Sequence, residues 1–220
     1  MSTLLQIGVG AGVVILVWVA WRTWRRSRSG ELRRLAPALR IEPAQPARVH
    51  ETGWLENPGG RWPAGTVENV WAGEVLDSRL LLFELAPPGR KADPVALFGV
   101  EGKAVPPFDL IPRDGEPAGG EGEVPFTDSE RFGEVYRLVC AEPAITDRLF
   151  RRDVTGFFER AENLNWRVTS NGAWLGVTTW PLGERERRLS AKHLAAFLED
   201  AKLVFRVLLG ESPRPRIGGH

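Results

Sequence analysis

Cys140 is the single thiol among 220 residues, so any cysteine chemistry must run through it. A thiol acts as a nucleophile when a neighbouring imidazole or other cation holds it as thiolate. The histidines are His50, His193 and His220. Only His193, in the first turn of a C-terminal helical pattern, could come near Cys140 at the end of an apolar strand pattern. Against that pair stands the ordinary state of a free cysteine, which is burial as a small apolar side chain. Burial is the expectation. One cysteine also excludes an intrachain disulfide and a Cys-based zinc site, and it suits a reducing compartment.

Metal and phosphate chemistry find no frame. The histidines are dispersed, without HxxxH spacing. Asp109, Asp114, Glu116, Glu121 and Glu123 lack the glycine and ligand spacing of a calcium loop and read as a solvated stretch. The glycines at Gly8, Gly10 and Gly12 lie inside an apolar run rather than after a strand, so they form no phosphate loop. Ser78, Ser129 and Ser170 have no G-x-S-x-G frame. No catalytic, cofactor-binding or metal-ligating residue is assigned from the sequence, and no cofactor is expected. Tryptophan is the more informative type. Trp54, Trp62, Trp71, Trp166, Trp174 and Trp180 fall in the later part of the chain, and a tryptophan there either covers a core layer or marks a binding surface.

These side chains sit in a chain with two unlike parts. The composition is globular, 43% hydrophobic and 26% charged, without the apolar depletion of disorder. The net charge of +1 hides an asymmetry. Residues 1–40 hold seven arginines (Arg22, Arg25, Arg26, Arg28, Arg33, Arg34 and Arg40) against Glu31, a balance of +6 that leaves −5 for the remainder. A mildly acidic domain excludes general nucleic-acid binding, which needs a basic face.

Leu4 to Trp21 carries no charge and one polar side chain, Gln6. About 18–20 helical residues cross the hydrocarbon core, so this run predicts a transmembrane helix in the lipid bilayer. Positive charge follows the apolar run instead of preceding it, the reverse of a signal peptide, so the anchor is expected to be retained with the arginine side in the cytoplasm. Trp18, Trp21 and Trp24 fit an interfacial belt. Gly8 and Gly12 have the small-xxx-small spacing through which membrane helices form homo-oligomers. Arg22 to Arg40 would face anionic lipid headgroups. The expected organisation is an anchor with basic flank at 1–26, a juxtamembrane linker at 27–63, a soluble domain at 64–210 and a disordered tail at 211–220.

Within the domain, TVENVWAGEV, RLLLFEL, PVALFGV and FDLIP read as strands between turn residues, and Phe132–Cys140 as another. Residues 113–123 form a polar, glycine-rich loop. A helix is expected from Pro143, with Phe150, Val154, Phe157 and Ala161 inward. A second is expected from an N-cap at Ser190, stapled by Leu189 and Leu194 and stopped by Gly210, with Leu194, Phe197, Leu198, Ala201, Phe205 and Leu208 on one face. Between the helices, Asn171-Gly172 predicts a two-residue hairpin turn with positive φ at both positions. That register pairs Ser170 with Ala173, Val168 with Leu175 and Trp166 with Val177, and sets Trp174 opposite Thr169 on the other face, where a second apolar layer is favoured over a binding surface. The whole is an α+β domain with a largely antiparallel sheet and two helices, carried by an N-terminal transmembrane helix.

Asn69 with Gly73 before the strand ending in Phe83, the proline-bounded VPPFDLIP, FGEVYRL leading into ITDRLF, and AWLGV together resemble a family of bacterial single-pass membrane-anchored proteins of uncharacterised function. The likeness spans roughly residues 65–180 and implies an anchor followed by a cytoplasmic α+β domain, with no catalytic residues to carry over. The expected function is a membrane-tethered module acting through a protein partner. A lipid or small-ligand binding domain is the alternative, and a Cys140-dependent enzyme comes third.

Overall fold

The structure, a computed structural model, describes residues 33–56, 65–103, 105–113, 122–126, 129–142, 144, 148–160, 165–179 and 190–210. The predicted anchor from Leu4 to Trp21, with Gly8 and Gly12, and the tail at 211–220 lie outside them. No helix among the described residues is long and apolar enough to cross a membrane.

The described residues form one sheet of nine strands flanked by helices, an α+β arrangement in which every strand pairing is antiparallel. In chain order they are β1 (Ile41–Pro43), β2 (Thr66–Val75), β3 (Ser78–Ala86), β4 (Asp93–Gly99), β5 (Phe108–Pro112), β6 (Glu123–Val124), β7 (Tyr136–Cys140), β8 (Trp166–Ser170) and β9 (Trp174–Thr179). Their spatial order is β1-β2-β3-β4-β9-β8-β5-β7-β6. The helices are α1 (33–39), α2 (Ala47–His50), α3 (Glu130–Val135), α4 (Arg152–Arg160) and α5 (Ala191–Leu208).

Both faces of the sheet are covered, which is why β4 is buried at every position and reads as an apolar run from Pro94 onward. On the first face Leu82, Phe98, Leu110, Leu138, Val168 and Val177 meet Phe132 of α3, Val154 and Phe158 of α4, and Leu198 and Phe205 of α5. On the second face Leu81, Phe83, Leu85, Val95 and Leu97 meet Val49, Trp54 and Trp174. A bulge lies between Glu68 and Trp71, where Asn69 takes φ 51° and its side-chain amide donates to Glu84 Oε2 at 2.5 Å.

The hairpin differs from its prediction. The observed pairs are Ser170–Leu175, Val168–Val177 and Trp166–Thr179, with Thr169 opposite Gly176. The turn centres on Gly172-Ala173, and of Asn171 and Gly172 only Gly172 has positive φ, at 90°. Glycine at the first central position is the type II′ pattern. The reason is the Asn171 side chain. Its Oδ1 accepts from Ala173 N at 3.1 Å and Trp174 N at 2.8 Å, so asparagine closes the turn as an acceptor rather than by entering the left-handed region. The register moves by two residues, and because strands alternate with period two, every side chain keeps its predicted face.

Other elements depart where local signals compete. Residues 33–56, expected as linker, are built into the domain: β1 pairs with β2, Leu35 and Leu39 pack partly on the first face, and Trp54 is 0% exposed. The strand expected over Phe132–Cys140 begins only at Tyr136. Before it Ser129 caps α3, its hydroxyl accepting from Phe132 N at 3.2 Å. The helix expected from Pro143 is α4, whose buried apolar residues are Val154 and Phe158, with Phe157 only half-buried. Pro143 and Ala161 lie outside the described residues, as does Leu189. β6 starts at Glu123, the last residue of the stretch expected to be loop. α5 follows expectation: Ser190 Oγ accepts from His193 N at 3.3 Å, and Gly210 ends the helix at φ 76°.

Candidate functional site

Three places in the described residues hold side chains that could act. The first is the pair offered by sequence. Cys140 ends β7 half-buried, and its Sγ donates to the Glu142 carbonyl at 3.2 Å. Burial pushes the thiol above its ordinary pKa, the hydrogen bond to Glu142 works against this, and the Glu142 charge adds to it. His193 stays at the start of α5, where its Nδ1 lies 3.0 Å from Ser190 Oγ. Each residue bonds to a sequence neighbour rather than to the other, and a thiol held protonated is a poor nucleophile. His50 is exposed at the end of α2, and His220 lies outside the described residues.

The acidic residues singled out for metal binding are not brought together. Asp109 is buried within β5 and Glu123 pairs with Arg113 at the sheet edge, while Asp114, Glu116 and Glu121 lie outside the described residues. Among the described residues, no three His, Cys, Asp or Glu groups converge to hold a metal.

The second place is a charged cluster inside the sheet. Asp109 and Arg167 are 0% and 1% exposed, and their side chains meet two-on-two: Arg167 Nε donates to Oδ1 at 3.1 Å and Nη2 to Oδ2 at 2.5 Å. Thr169 Oγ1 donates to Asp109 Oδ1 at 2.6 Å. The fork of a guanidinium matches a carboxylate in this geometry, and a third donor satisfies one more lone pair. The cluster ties β5 to β8, the seam where the β8–β9 hairpin joins the other half of the sheet. With both charges covered and mutually bonded, its role is architectural. Its sequence signal was available: Asp109 in FDLIP and Arg167 in WRVTS are each the single charge in a strand, a placement that demands a partner once the strand is buried.

The third place is a cleft of about 800 Å³ where α1, β1 and α2 cross the ends of β2 and β3. Arg40, Arg48 and Arg79 line it together with Glu42, Glu51 and Glu74, and Leu81 and Trp174 form part of its floor. The Arg79 guanidinium lies 4.9 Å from the centre of the Trp174 ring and also pairs with Glu101. Trp174 is 8% exposed and belongs to the second core layer, as favoured from sequence, while its remaining surface faces the cleft. Sequence reasoning missed this site, because half of its wall comes from residues that read as linker.

Comparison with known proteins gives little beyond the fold. No family model matches the chain, and no curated protein matches it. Among solved structures, the crystal structure of the mycobacterial trehalose monomycolate transport factor A, TtfA, is similar at a TM-score of 0.54 and 11% sequence identity. The similarity covers 87% of this chain and 99% of that one. At that identity the likeness is one of fold.

Proposed function

We propose that this chain is a membrane-tethered module, a member of the bacterial membrane-anchored family its sequence resembles, whose cytoplasmic domain binds a protein partner without chemistry of its own. The observation that carries the reading is the make-up of the cleft. Its wall combines three arginines with three glutamates beside an aromatic floor. Such a lining suits a polypeptide, which offers both charge signs and apolar side chains, better than a small anion or an acyl chain. Tryptophan and arginine are also the types that most often anchor protein contacts.

Position supports the same reading. Trp21 and the first described residue of α1, Arg33, are twelve positions apart, a reach of at most about 40 Å at full extension. A partner in the same membrane therefore meets the cleft at high effective concentration.

The test is photocrosslinking from the full chain in native membranes, with a benzophenone amino acid at Arg48 in the cleft. A control at Arg90 lies beyond the far end of β3, a strand length of about 30 Å away. A discrete protein adduct from position 48 and none from position 90 is expected. Lipid adducts alone, or the same proteins captured from both positions, would overturn the reading.

A further inference from the structure

The end of the sheet where α1 leads into β1 carries a second, differently charged cleft. α1 delivers the chain to β1 at Ile41, which lies opposite Gly73, and Gly73 in turn pairs with Leu80 near the start of β3. β4 ends beside these residues, since Leu80 pairs with Phe98. Phe98 stacks on Phe205 at 4.4 Å, so the C-terminal end of α5 comes to the same end of the sheet.

There a cleft of about 300 Å³ is lined by Lys103, Arg148 and Arg151, with Val105, Leu149, Leu208 and Leu209 as its apolar part. Lys103 Nζ lies 4.9 Å from the centre of the Phe205 ring, and Arg151 is shared with Asp153 at 3.4 Å across exposed side chains. Among the described residues that line the cleft none is acidic, in contrast to the balanced wall of the larger one. The carbonyl end of an 18-residue helix accounts for part of this gathering of cations. Arg151 is shared with Asp153 and Arg148 has an interaction of its own, yet every charged side chain that lines the opening is cationic. Its leucine walls disfavour a fully hydrated inorganic ion and favour an anion attached to carbon.

We infer that this cleft takes the phosphodiester headgroup of an anionic membrane lipid. The phosphate meets Lys103, Arg148 and Arg151, and the glycerol and first acyl carbons lie on Leu149, Leu208 and Leu209. The volume holds roughly ten waters at about 30 Å³ each, the size of a phosphoglycerol group. The inference rests on the tethered reading for its biological setting, because only a domain held at the bilayer meets such lipids. It adds a site in the folded domain to the basic flank at Arg22 to Arg40.

The experiment uses the full chain in nonionic detergent with short-chain dihexanoylphosphatidylglycerol below its micelle concentration. Dihexanoylphosphatidylcholine and inorganic phosphate serve as comparison arms, and amide hydrogen exchange is read over residues 101–105 and 206–210. Phosphatidylglycerol is expected to slow exchange there by about threefold or more, and the other two probes are expected to leave it unchanged. Lys103→Glu with Arg151→Glu should abolish the effect, while Lys103→Arg with Arg151→Lys should keep it.

No slowing by phosphatidylglycerol, equal slowing by inorganic phosphate, or slowing that survives charge reversal would overturn the inference. If the reversed variant loses protection in β4 and so fails to fold, the wild-type and conservative arms decide. Alkaline carbonate extraction of membranes separates this test from the tethered reading. Release of the chain with the lipid effect intact removes the tether and keeps the site, and retention without the effect does the converse.

Discussion

Replacing Trp54 by alanine tests whether the segment before β2 belongs to the folded domain. The indole is fully buried against Phe83, with ring centres 6.4 Å apart, and its Nε1 donates to the Thr169 carbonyl at 3.1 Å. A side chain of this size buries about 150–250 Å², worth about 4–6 kcal/mol at about 25 cal/mol per Å² as an upper bound. Core tryptophan truncations cost about 3–5 kcal/mol, so a loss of about 4 kcal/mol is expected. Urea unfolding of the full chain in detergent, followed by far-ultraviolet circular dichroism, should show the midpoint falling by about 2 M at an unchanged slope. A linker residue would cost less than about 0.5 kcal/mol.

The same contact makes a coupling prediction. A Cβ built on Gly176 would overlap the Trp54 ring, 2.7 Å from Nε1 and nearer still to Cε2 and Cζ2. Gly176→Ala must therefore displace Trp54 in the wild type, yet it should cost little once Trp54 is alanine. Strict additivity of the two substitutions, or a Trp54→Ala loss below about 1 kcal/mol, would refute the packing of Trp54 on Gly176.

Asp109→Ala leaves the buried Arg167 without its carboxylate and should cost about 3–5 kcal/mol, while joint replacement by Asp109→Leu and Arg167→Met should cost far less, both read by denaturant melts. Cys140→Ala should lose at most about 1–2 kcal/mol and leave partner crosslinking intact. Because burial raises the Cys140 pKa, the neutral thiol is favoured in the folded state. Alkylation at pH 8 should therefore be slower than for an unfolded control, and the thiol's contribution to stability should fall as pH rises through the range where free thiols ionise. Gly172→Val forces a β-branched residue to φ 90° and should cost about 1–3 kcal/mol, measured by the same melts.

What the sequence made legible follows physical range. β2, β5 and α5 were readable because their signals are local: a run between turn residues, a proline-bounded pentamer, and a serine cap with a glycine stop. The faces of the hairpin were readable because alternation survives a shift of two residues. Its turn was not, since the choice between Asn171 as a positive-φ residue and as a side-chain acceptor depends on hydrogen bonds that composition does not reveal. The segment at 33–56 was missed for a related reason. β1 spans only Ile41–Pro43, and Trp54 is held by Gly176 and Thr169, more than a hundred residues away. The larger cleft was therefore illegible, because its walls meet only after these long-range contacts form.

The proposed function depends most on the domain being held at the membrane on its cytoplasmic side, and one labelling measurement addresses this directly. In a Cys140→Ala background, Arg90→Cys places a thiol on the exposed β3–β4 turn of the full chain. Bacterial spheroplasts carrying this chain are treated with a membrane-impermeant maleimide before or after lysis, and the membranes are then extracted with alkaline carbonate. A cytoplasmic, membrane-held domain predicts labelling only after lysis and a labelled chain that stays in the membrane pellet. Labelling of intact spheroplasts, or release of the chain by carbonate, would contradict it.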